Sequence, residues 1–300
     1  MNKDTSLIVT QGPYSSFMEE ISNFPFVTGV RLNTIMPIKY GTIREKLEEM
    51  WARIHHKDLW IDLKCRQLRV TNFANTPYTS VKISHRISVD LPAYVLFDNG
   101  AIEGKLVDID GYDLILEDYV GRIIGPGESI NIKGNNFQYL DDRYLTERDM
   151  EFVEAAKLVG IRTFMLSFVH DETDVAHFKN IYNDSTVIAK IEDKKGMANV
   201  ASIAYDCPAI MVARGDLCVE ASPRALPGIL QHVRQTVGDK AIVGSRLLSS
   251  LLTSIIPSCS DMMDIHYLKS MGYTTFMIGD DICFKRDILV QAMNLIVTNY

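Results

Sequence analysis

The chain has 300 residues, of which 47% are hydrophobic and 23% charged, an ordinary composition for a globular protein. Its net charge of −7 and pI of about 5.5 argue against a nucleic-acid-binding surface as the main function. No apolar run reaches the ~18 residues that span a bilayer, and no secretory signal opens the sequence. The five cysteines lack C-x-x-C spacing, so we expect reduced thiols in a cytoplasmic protein without a zinc site or a membrane partner.

The first 63 residues alternate between strand-like and helix-like segments. Strands are predicted at Leu7–Thr10, Thr28–Leu32 and Leu59–Leu63, and helices at Ser16–Asn23 and Ile43–Ile54. This β-α-β-α-β order predicts a parallel sheet.

The pattern changes between Val70 and Gln138, where short alternating runs replace the helical periodicity. Asn99-Gly100 and Asp110-Gly111 separate apolar runs and are typical of hairpin turns. We therefore predict a small antiparallel β domain at residues 71–138, inserted into a larger domain formed by residues 1–70 and 139–300.

The strand–helix alternation resumes after Leu145. Strands are predicted at Thr163–Phe168, at the two apolar runs within 186–214, at Ala241–Gly244 and at Thr274–Ile278. Helices are predicted from Thr146, then at Asp171–Tyr182, Gly196–Asp206, Leu226–Val237, from Ser260-Asp261, and at Asp287–Asn299. About eight such units favour an α/β fold of the TIM-type (β/α)8 barrel class with an inserted antiparallel β domain; the alternative is an open doubly wound sheet.

Polar residues follow most of these strands, where a barrel places its chemistry. In chain order they are Arg31, Asn33, Asp62, Lys64, Ser167, His170, Lys190, Glu192, Arg214, Gly215, Asp216, Ser245 and Asp281.

The segment 186–220 carries the strongest signal among them. Lys190 and Glu192 are two residues apart at a strand end, so they point to one face, and Gly215-Asp216 follows the next strand. A lysine there needs an anionic partner, either a ligand or Glu192. Two carboxylates, Glu192 and Asp216, are typical of a Mg²⁺ site that leaves positions for water and substrate.

Simpler interpretations remain open for individual residues. Asp216 is also a candidate N-cap of the following helix, and Ser245 a candidate cap of the next one. The backbone N–H groups of Gly215 and Asp216 are candidate anion donors, and Arg31 and Arg69 are candidate phosphate contacts. Neither a Walker-type phosphate loop nor a GxGxxG after a strand is present.

The same segments resemble the pyruvate kinase family. IAKIEDKKG is similar to the family's IAKIENxxG, and IMVARGDLCVE to its IMVARGDLGVE. Further similarities follow in order: VTQGP, VRLN at 30–33, WIDLKCRQLR at 60–69 (family LLDTKGPEIR), LTERD, SFVH, and GSRLLSSL at 244–251 (family ATQMLESM). They extend over nearly the whole predicted barrel.

The resemblance implies a role for each matching residue. Lys190 would stabilise phosphoryl or enolate charge, and Glu192 and Asp216 would hold Mg²⁺ or Mn²⁺. Ser245 would stand near the carbon that is protonated and help Gly215 and Asp216 to bind the substrate. Arg31 would act in catalysis on the phosphoryl group. Arg31, Asn33 and Arg69 would contact a nucleotide, ADP or ATP, and the small-molecule substrate would be phosphoenolpyruvate or pyruvate.

Departures from the family motifs fall on the monovalent-cation site and the nucleotide site. The K⁺ site would use Asn33, Asp62 and positions 35 and 63, but Ile35 and Leu63 offer no side-chain oxygen. Arg66, or another cation, is a candidate replacement for the ion. Glu128 stands where the family has a lysine over the nucleotide phosphates. The resemblance implies that the inserted domain at 71–138 is a lid domain, shorter than the family's.

Three functions follow as hypotheses. The first is a Mg²⁺-dependent phosphotransferase that makes pyruvate and ATP from phosphoenolpyruvate and ADP in glycolysis. The second is lyase, aldolase or other enolate chemistry on a pyruvate-like keto acid without a nucleotide. The third is a catalytically inactive barrel that binds a ligand or a partner. A homo-oligomer is compatible with all three.

Overall fold

The computed structural model describes residues 5–54, 57–75, 77–141 and 143–298. It contains two compact units: one ends at Leu63 and resumes at Glu147, and the other spans Lys64–Thr146. The sequence boundaries proposed at 70/71 and 138/139 both fall inside the second unit.

The first unit begins with β1 (Ser6–Thr10), α1 (Met18–Ser22), β2 (Val27–Asn33), α2 (Ile43–Arg53) and β3 (Asp58–Leu63). The second unit contains β4 (Ser80–Lys82), β5 (Ile87–Ser88), β6 (Ala93–Phe97), β7 (Ile102–Asp110), β8 (Asp113–Leu116), β9 (Asn131–Lys133) and β10 (Gln138–Tyr139). The first unit then continues with α3 (Glu147–Val159), β11 (Thr163–Leu166), α4 (Glu172–Ile181), β12 (Thr186–Ile191), α5 (Lys194–Ala198), α6 (Val200–Ile203) and β13 (Ala209–Ala213). It ends with α7 (Arg214–Glu220), α8 (Leu226–Val237), β14 (Ala241–Gly244), α9 (Cys259–Ser270), β15 (Thr275–Ile278), α10 (Asp280–Cys283) and α11 (Arg286–Val297).

Eight strands of the first unit's described residues close into a parallel barrel in the order β1-β15-β14-β13-β12-β11-β3-β2. Each strand pairs with its neighbours in parallel register; Lys190 of β12, for example, lies opposite Met211 of β13. The predicted (β/α)8 barrel is therefore confirmed, and the open doubly wound sheet is wrong.

The barrel interior explains how polar residues reach one site. An apolar layer is built from alternate residues of the strands, among them Trp60, Ile188 and Met211. Because side chains alternate along a strand, Asp62 and Lys190, two residues further on, face the same interior at its carboxyl end. Gly29 makes room for the layer, since a Cβ there would lie 2.7 Å from the indole nitrogen of Trp60.

The second unit is antiparallel and has its own apolar core. Its larger sheet has the order β4-β8-β7-β6-β9, and β5 pairs with β10. The hairpins predicted at Asn99-Gly100 and Asp110-Gly111 join β6 to β7 and β7 to β8. Asn99, Gly100 and Gly111 have positive φ angles of 54°, 86° and 60°, as tight turns require.

One predicted helix differs from the observed structure. The segment predicted as a single helix at Gly196–Asp206 forms two short helices, α5 and α6, that meet at Asn199. The Asn199 amide donates to the carbonyl of His170 at 2.9 Å. This tertiary hydrogen bond lies outside the chain window from which helical periodicity is read.

Candidate active site

A buried lysine lies between two carboxylates at the carboxyl end of the barrel. Lys190 Nζ is 2.9 Å from Asp62 Oδ1 and 3.3 Å from Glu192 Oε1. All three side chains are almost fully buried. The sequence pointed to Glu192 as the partner of Lys190; the structure adds Asp62 at the shorter distance.

The carboxylates keep Lys190 charged. Burial by itself lowers the pKa of this lysine, but the charges of Asp62 and Glu192 outweigh burial, so its pKa is raised above the usual value. Lys190 is therefore a fixed positive charge, and it is not available as a general base at neutral pH.

Arg31 of β2 is held by carboxylates on both sides. Its Nε and Nη2 donate to Asp62 Oδ2 at 2.8 and 2.5 Å, and its Nη1 donates to Asp280 Oδ2 at 3.2 Å. The Asp280 oxygen also accepts from the Asn33 amide at 3.0 Å. Burial by itself lowers the pKa of Arg31, but the charges of Asp62 and Asp280 outweigh this effect and raise the pKa above its usual value. The guanidinium is therefore charged.

Glu192 and Asp216 form the acidic side of the site. Glu192 Oε2 accepts from the backbone N–H of Phe168 at 2.8 Å. Burial raises the pKa of Glu192; Lys190 opposes this, and the charges of Asp216 and Asp62 add to it. Asp216 is thus one of the negative charges that act on Glu192, and a bound cation would offset it.

This donor set fits a hard divalent cation. Within the described ranges, no group of three or more His, Cys, Asp or Glu side chains is placed to hold a metal. Mg²⁺ needs fewer protein ligands, because it usually keeps several waters and takes one or two carboxylates together with substrate oxygens. Glu192 and Asp216 are the residues that match this requirement.

Gly215, Asp216 and Ser245 meet where β13 and β14 end. Gly215 and Asp216 lie in the first turn of α7, whose N-cap is Ala213. The interpretation of Asp216 as an N-cap is therefore wrong. Ser245 does not cap the next helices either, since Leu248 is the N-cap of a short 3-10 helix, Ser249–Leu252, and Ser258 is the N-cap of α9. A Cβ on Gly215 would lie 3.9 Å from Ser245 Oγ, so the serine hydroxyl stands beside this turn.

Comparison with known proteins assigns this barrel to a family. A family model described as pyruvate kinase, barrel domain, matches residues 78–278, which is more than half of the chain. The chain belongs to the pyruvate kinase family.

Curated relatives agree with this assignment. A pyruvate kinase from Thermoplasma acidophilum is 27% identical over 291 residues, covering 87% of this chain and 51% of the relative. One from Methanocaldococcus jannaschii is 28% identical over 211 residues, covering 67% of this chain and 46% of the relative. The chain thus spans about half the length of the curated pyruvate kinases that it matches.

A solved structure supports the fold. The crystal structure of a pyruvate kinase from Cryptosporidium parvum matches 99% of this chain and 69% of its own, with a TM-score of 0.75 and 20% sequence identity. No helix in the described part of this chain is long and apolar enough to cross a membrane.

The residues of the pyruvate kinase K⁺ site do not fit a monovalent cation here. The Asn33 amide oxygen accepts from Ile35 N at 3.3 Å, and its amide nitrogen donates to Asp280. Asp62 is engaged by Arg31 and Lys190, and the Ile35 and Leu63 side chains carry no oxygen. Two protein cations therefore already neutralise the carboxylate that K⁺ would need.

The remaining predicted nucleotide contact lies in the second unit. Arg69 donates to the Gly127 carbonyl at 2.7 Å and to the side chain of Gln67. Glu128 forms an ion pair with Arg122. Arg66, the candidate replacement for K⁺, packs with its guanidinium 4.6 Å from the Tyr144 ring centroid. Arg31 and Lys190 both engage Asp62.

Two features of the site were not predicted from the sequence. One is Asp280, and the other is the hydrogen bonding of Arg214 to the Ser245 carbonyl and to Asp264. The sequence pattern predicts Asp281 as the site residue after β15, but its neighbour Asp280 contacts Arg31 and Asn33. Its position directly after a strand and a glycine was the available signal. Of the other predicted mouth residues, Ser167 donates to the Leu63 carbonyl at 2.7 Å, and His170 Nε2 lies 2.6 Å from Asp193 Oδ2.

Proposed function

We propose that this member of the pyruvate kinase family is a Mg²⁺-dependent phosphotransferase that converts phosphoenolpyruvate and ADP into pyruvate and ATP. The observation that carries the proposal is the buried, charged Lys190 between Asp62 and Glu192, with Asp216 alongside. Burying a cation among carboxylates carries a large desolvation penalty. Such a group is often found at a functional site, here one that would bind an anion next to a metal.

The chemistry that this proposal requires is a phosphoryl transfer followed by a protonation. The bond between the enol oxygen and phosphorus breaks, and an oxygen of the ADP β-phosphate forms the new bond to phosphorus. The enolate that remains takes one proton at its methylene carbon and becomes pyruvate. Such reactions depend mainly on positioning and on positive charge around the moving group.

The residues of the chain divide these tasks between them. Lys190 provides a fixed positive charge for the bridging oxygen, because its raised pKa keeps it protonated. Glu192 and Asp216 are the residues that would hold Mg²⁺, which supplies Lewis-acid stabilisation of the enolate oxygen. The Ser245 hydroxyl, which lies beside Gly215, would help to bind the substrate and would stand near the carbon that is protonated.

The proposal is tested by measuring pyruvate released by the full chain from phosphoenolpyruvate, ADP and Mg²⁺. We expect Lys190→Met to reduce this rate by about 1,000-fold, the scale found when a preorganised charge-stabilising group is removed. Lys46→Met, at a lysine on α2 whose side chain is 13% exposed and paired with Glu49, is the matched control and should retain the rate. Absence of ADP-dependent pyruvate release by the unmodified protein would overturn the proposal.

Metal binding is tested separately by calorimetry with Mg²⁺ and oxalate, an enolate mimic. Asp216→Asn should remove Mg²⁺-dependent oxalate binding, because one of two proposed metal ligands is lost. Asp239→Asn, an exposed partner of Arg234, should leave binding unchanged. Equal oxalate binding by the Asp216 variant and the unmodified chain would remove Asp216 from the metal site.

One observation favours a second function, enolate chemistry on a pyruvate-like keto acid without a nucleotide. Arg31, the proposed phosphoryl contact, already pairs with Asp62 and Asp280. This function predicts Mg²⁺-dependent exchange of the pyruvate methyl protons in heavy water, followed by NMR, with no pyruvate formed from phosphoenolpyruvate. Exchange together with ADP-dependent turnover would instead support the phosphotransferase.

A further inference from the structure

The loop after β14 has an unusual backbone. Ser245, Arg246 and Leu248 have positive φ angles of 67°, 53° and 54°. Non-glycine residues rarely adopt this left-handed conformation, which persists only where surrounding contacts hold it and which is often found at ligand sites.

Arg214 is the contact that holds this loop. It is buried, and its Nε and Nη2 donate to the Ser245 carbonyl at 3.1 and 2.9 Å, while Nη2 also donates to the Arg246 carbonyl at 2.9 Å. Its Nη1 donates to both oxygens of Asp264 at 2.8 and 2.9 Å. The Arg214 side chain therefore fixes the backbone of Ser245 and Arg246, and its N–H groups are all used in these hydrogen bonds and in the ion pair with Asp264.

The guanidinium of Arg246 differs from the other cations at this end of the barrel. Arg31, Lys190 and Arg214 each form ion pairs with carboxylates. Arg246 is exposed, and its one hydrogen bond among the described residues is a long one, from Nη2 to the Gly215 carbonyl at 3.5 Å. Most of its donors remain available to a ligand.

The Arg246 guanidinium lies near the proposed substrate-binding residues. Gly215 accepts from the Arg246 guanidinium, and the Ser245 hydroxyl stands beside the same glycine. A guanidinium and a hydroxyl thus both lie beside Gly215, in the first turn of α7 that also contains Asp216. Arginine presents two parallel N–H groups that match the two oxygens of a carboxylate.

We propose that Arg246 binds the carboxylate of the substrate through a two-pronged ion pair, with Ser245 as its neighbour. The inference deepens the proposed function and rests on it. The motif that this loop resembles, ATQMLESM, has a neutral glutamine where this chain has Arg246. This chain therefore supplies a cation that the motif does not.

The test compares oxalate binding, with Mg²⁺ present, by the unmodified chain and three variants in calorimetry. Arg246→Gln should weaken oxalate binding by about 10- to 100-fold, the range expected for a charged hydrogen-bonded pair. The oxalate affinity of Arg246→Lys should lie between those of the unmodified chain and Arg246→Gln, because lysine keeps the positive charge but lacks the two parallel N–H groups. Arg44→Gln, at an exposed arginine of α2, should bind as the unmodified chain does.

A second ligand pair separates binding from a purely structural role. Arg246→Gln should weaken pyruvate binding and leave the binding of pyruvamide, which has no carboxylate, unchanged. Equal weakening of both ligands, or oxalate binding unaffected by the substitution, would overturn the inference while the proposed function stood. Absence of oxalate binding by the unmodified chain would instead overturn the proposed function, and this inference with it.

Discussion

Buried basic groups are treated in opposite ways in the two units. In the barrel, Lys190 and Arg31 are buried among carboxylates, which raise the pKa of both and keep them charged. In the second unit, burial lowers the pKa of His85 from its usual value near 6.5 to about 4; Asp141 opposes this shift, and Arg143 and Arg66 add to it. The His85 imidazole is therefore neutral at pH 7.

The neutral histidine in one interior and the charged lysine in the other indicate different roles for the two units. Neutral His85 bonds to the Ser84 hydroxyl at 2.9 Å in the unit that holds the apolar core of Val81, Val95 and Phe97. This arrangement stabilises a fold. Charged groups such as those around Lys190 are expensive to bury, and apolar side chains would often stabilise a core as well or better. Binding of the proposed anionic substrate would account for the charges that the barrel keeps.

The largest expected effect comes from breaking the charge balance of the barrel at Asp62. Asp62→Asn leaves Arg31 and Lys190 buried with one fewer carboxylate, and should lower the free energy of unfolding by about 3–5 kcal/mol. Urea unfolding of the full chain measures this. Glu48→Gln, which breaks an exposed pair with Arg44 on α2, should cost about 0.3–0.5 kcal/mol. A similar small effect at Asp62 would show that its charge is unimportant.

The second effect tests the neutral histidine of the other unit. Because the folded pKa of His85 lies below the unfolded value, its contribution to stability is complete above pH 6.5 and is lost as the pH falls toward 4. The loss should reach about 3 kcal/mol. Urea unfolding between pH 7 and 4 should show a steeper decline for the unmodified chain than for His85→Gln, whereas His177→Gln, at an exposed histidine, should retain the steep decline. Parallel curves for all three proteins would contradict the prediction.

A smaller effect separates the two neighbouring aspartates after β15. Asp280→Asn should reduce stability by about 1 kcal/mol, because Asp280 is partly exposed and Asp62 still engages Arg31. Asp281→Asn, at the exposed residue that the sequence pointed to, should change stability by less than about 0.5 kcal/mol. Equal effects would mean that the contacts of Asp280 with Arg31 and Asn33 contribute nothing.

The smallest expected effect is that of the monovalent cation. Oxalate affinity with Mg²⁺ should be the same in potassium chloride and in tetramethylammonium chloride at equal ionic strength, because Arg31 and Lys190 already neutralise Asp62. Calorimetry in the two salts measures this. A clear preference for K⁺ would mean that an ion competes successfully with the guanidinium.

Local patterns were enough to find the acidic side of the site. Lys190 and Glu192 share a face because they are two residues apart, and Asp216 follows the next strand, so each could be placed from a short window. The same windows could not show that Ala213, not Asp216, is the N-cap of α7, since capping depends on backbone angles. They also could not show that Asn199 divides a helix through a contact with His170.

The sequence by itself determined the barrel, the inserted antiparallel unit and the edge where Lys190, Glu192 and Asp216 meet, because apolar periodicity and strand ends are properties of neighbouring residues. Only the tertiary structure decided the partners across that edge. Arg31 meets Asp280 249 positions away, and Arg214 meets Asp264 50 positions away. Barrel closure brings the first pair together, and the second pair joins α7 to α9. Neither pairing can be read from a local pattern.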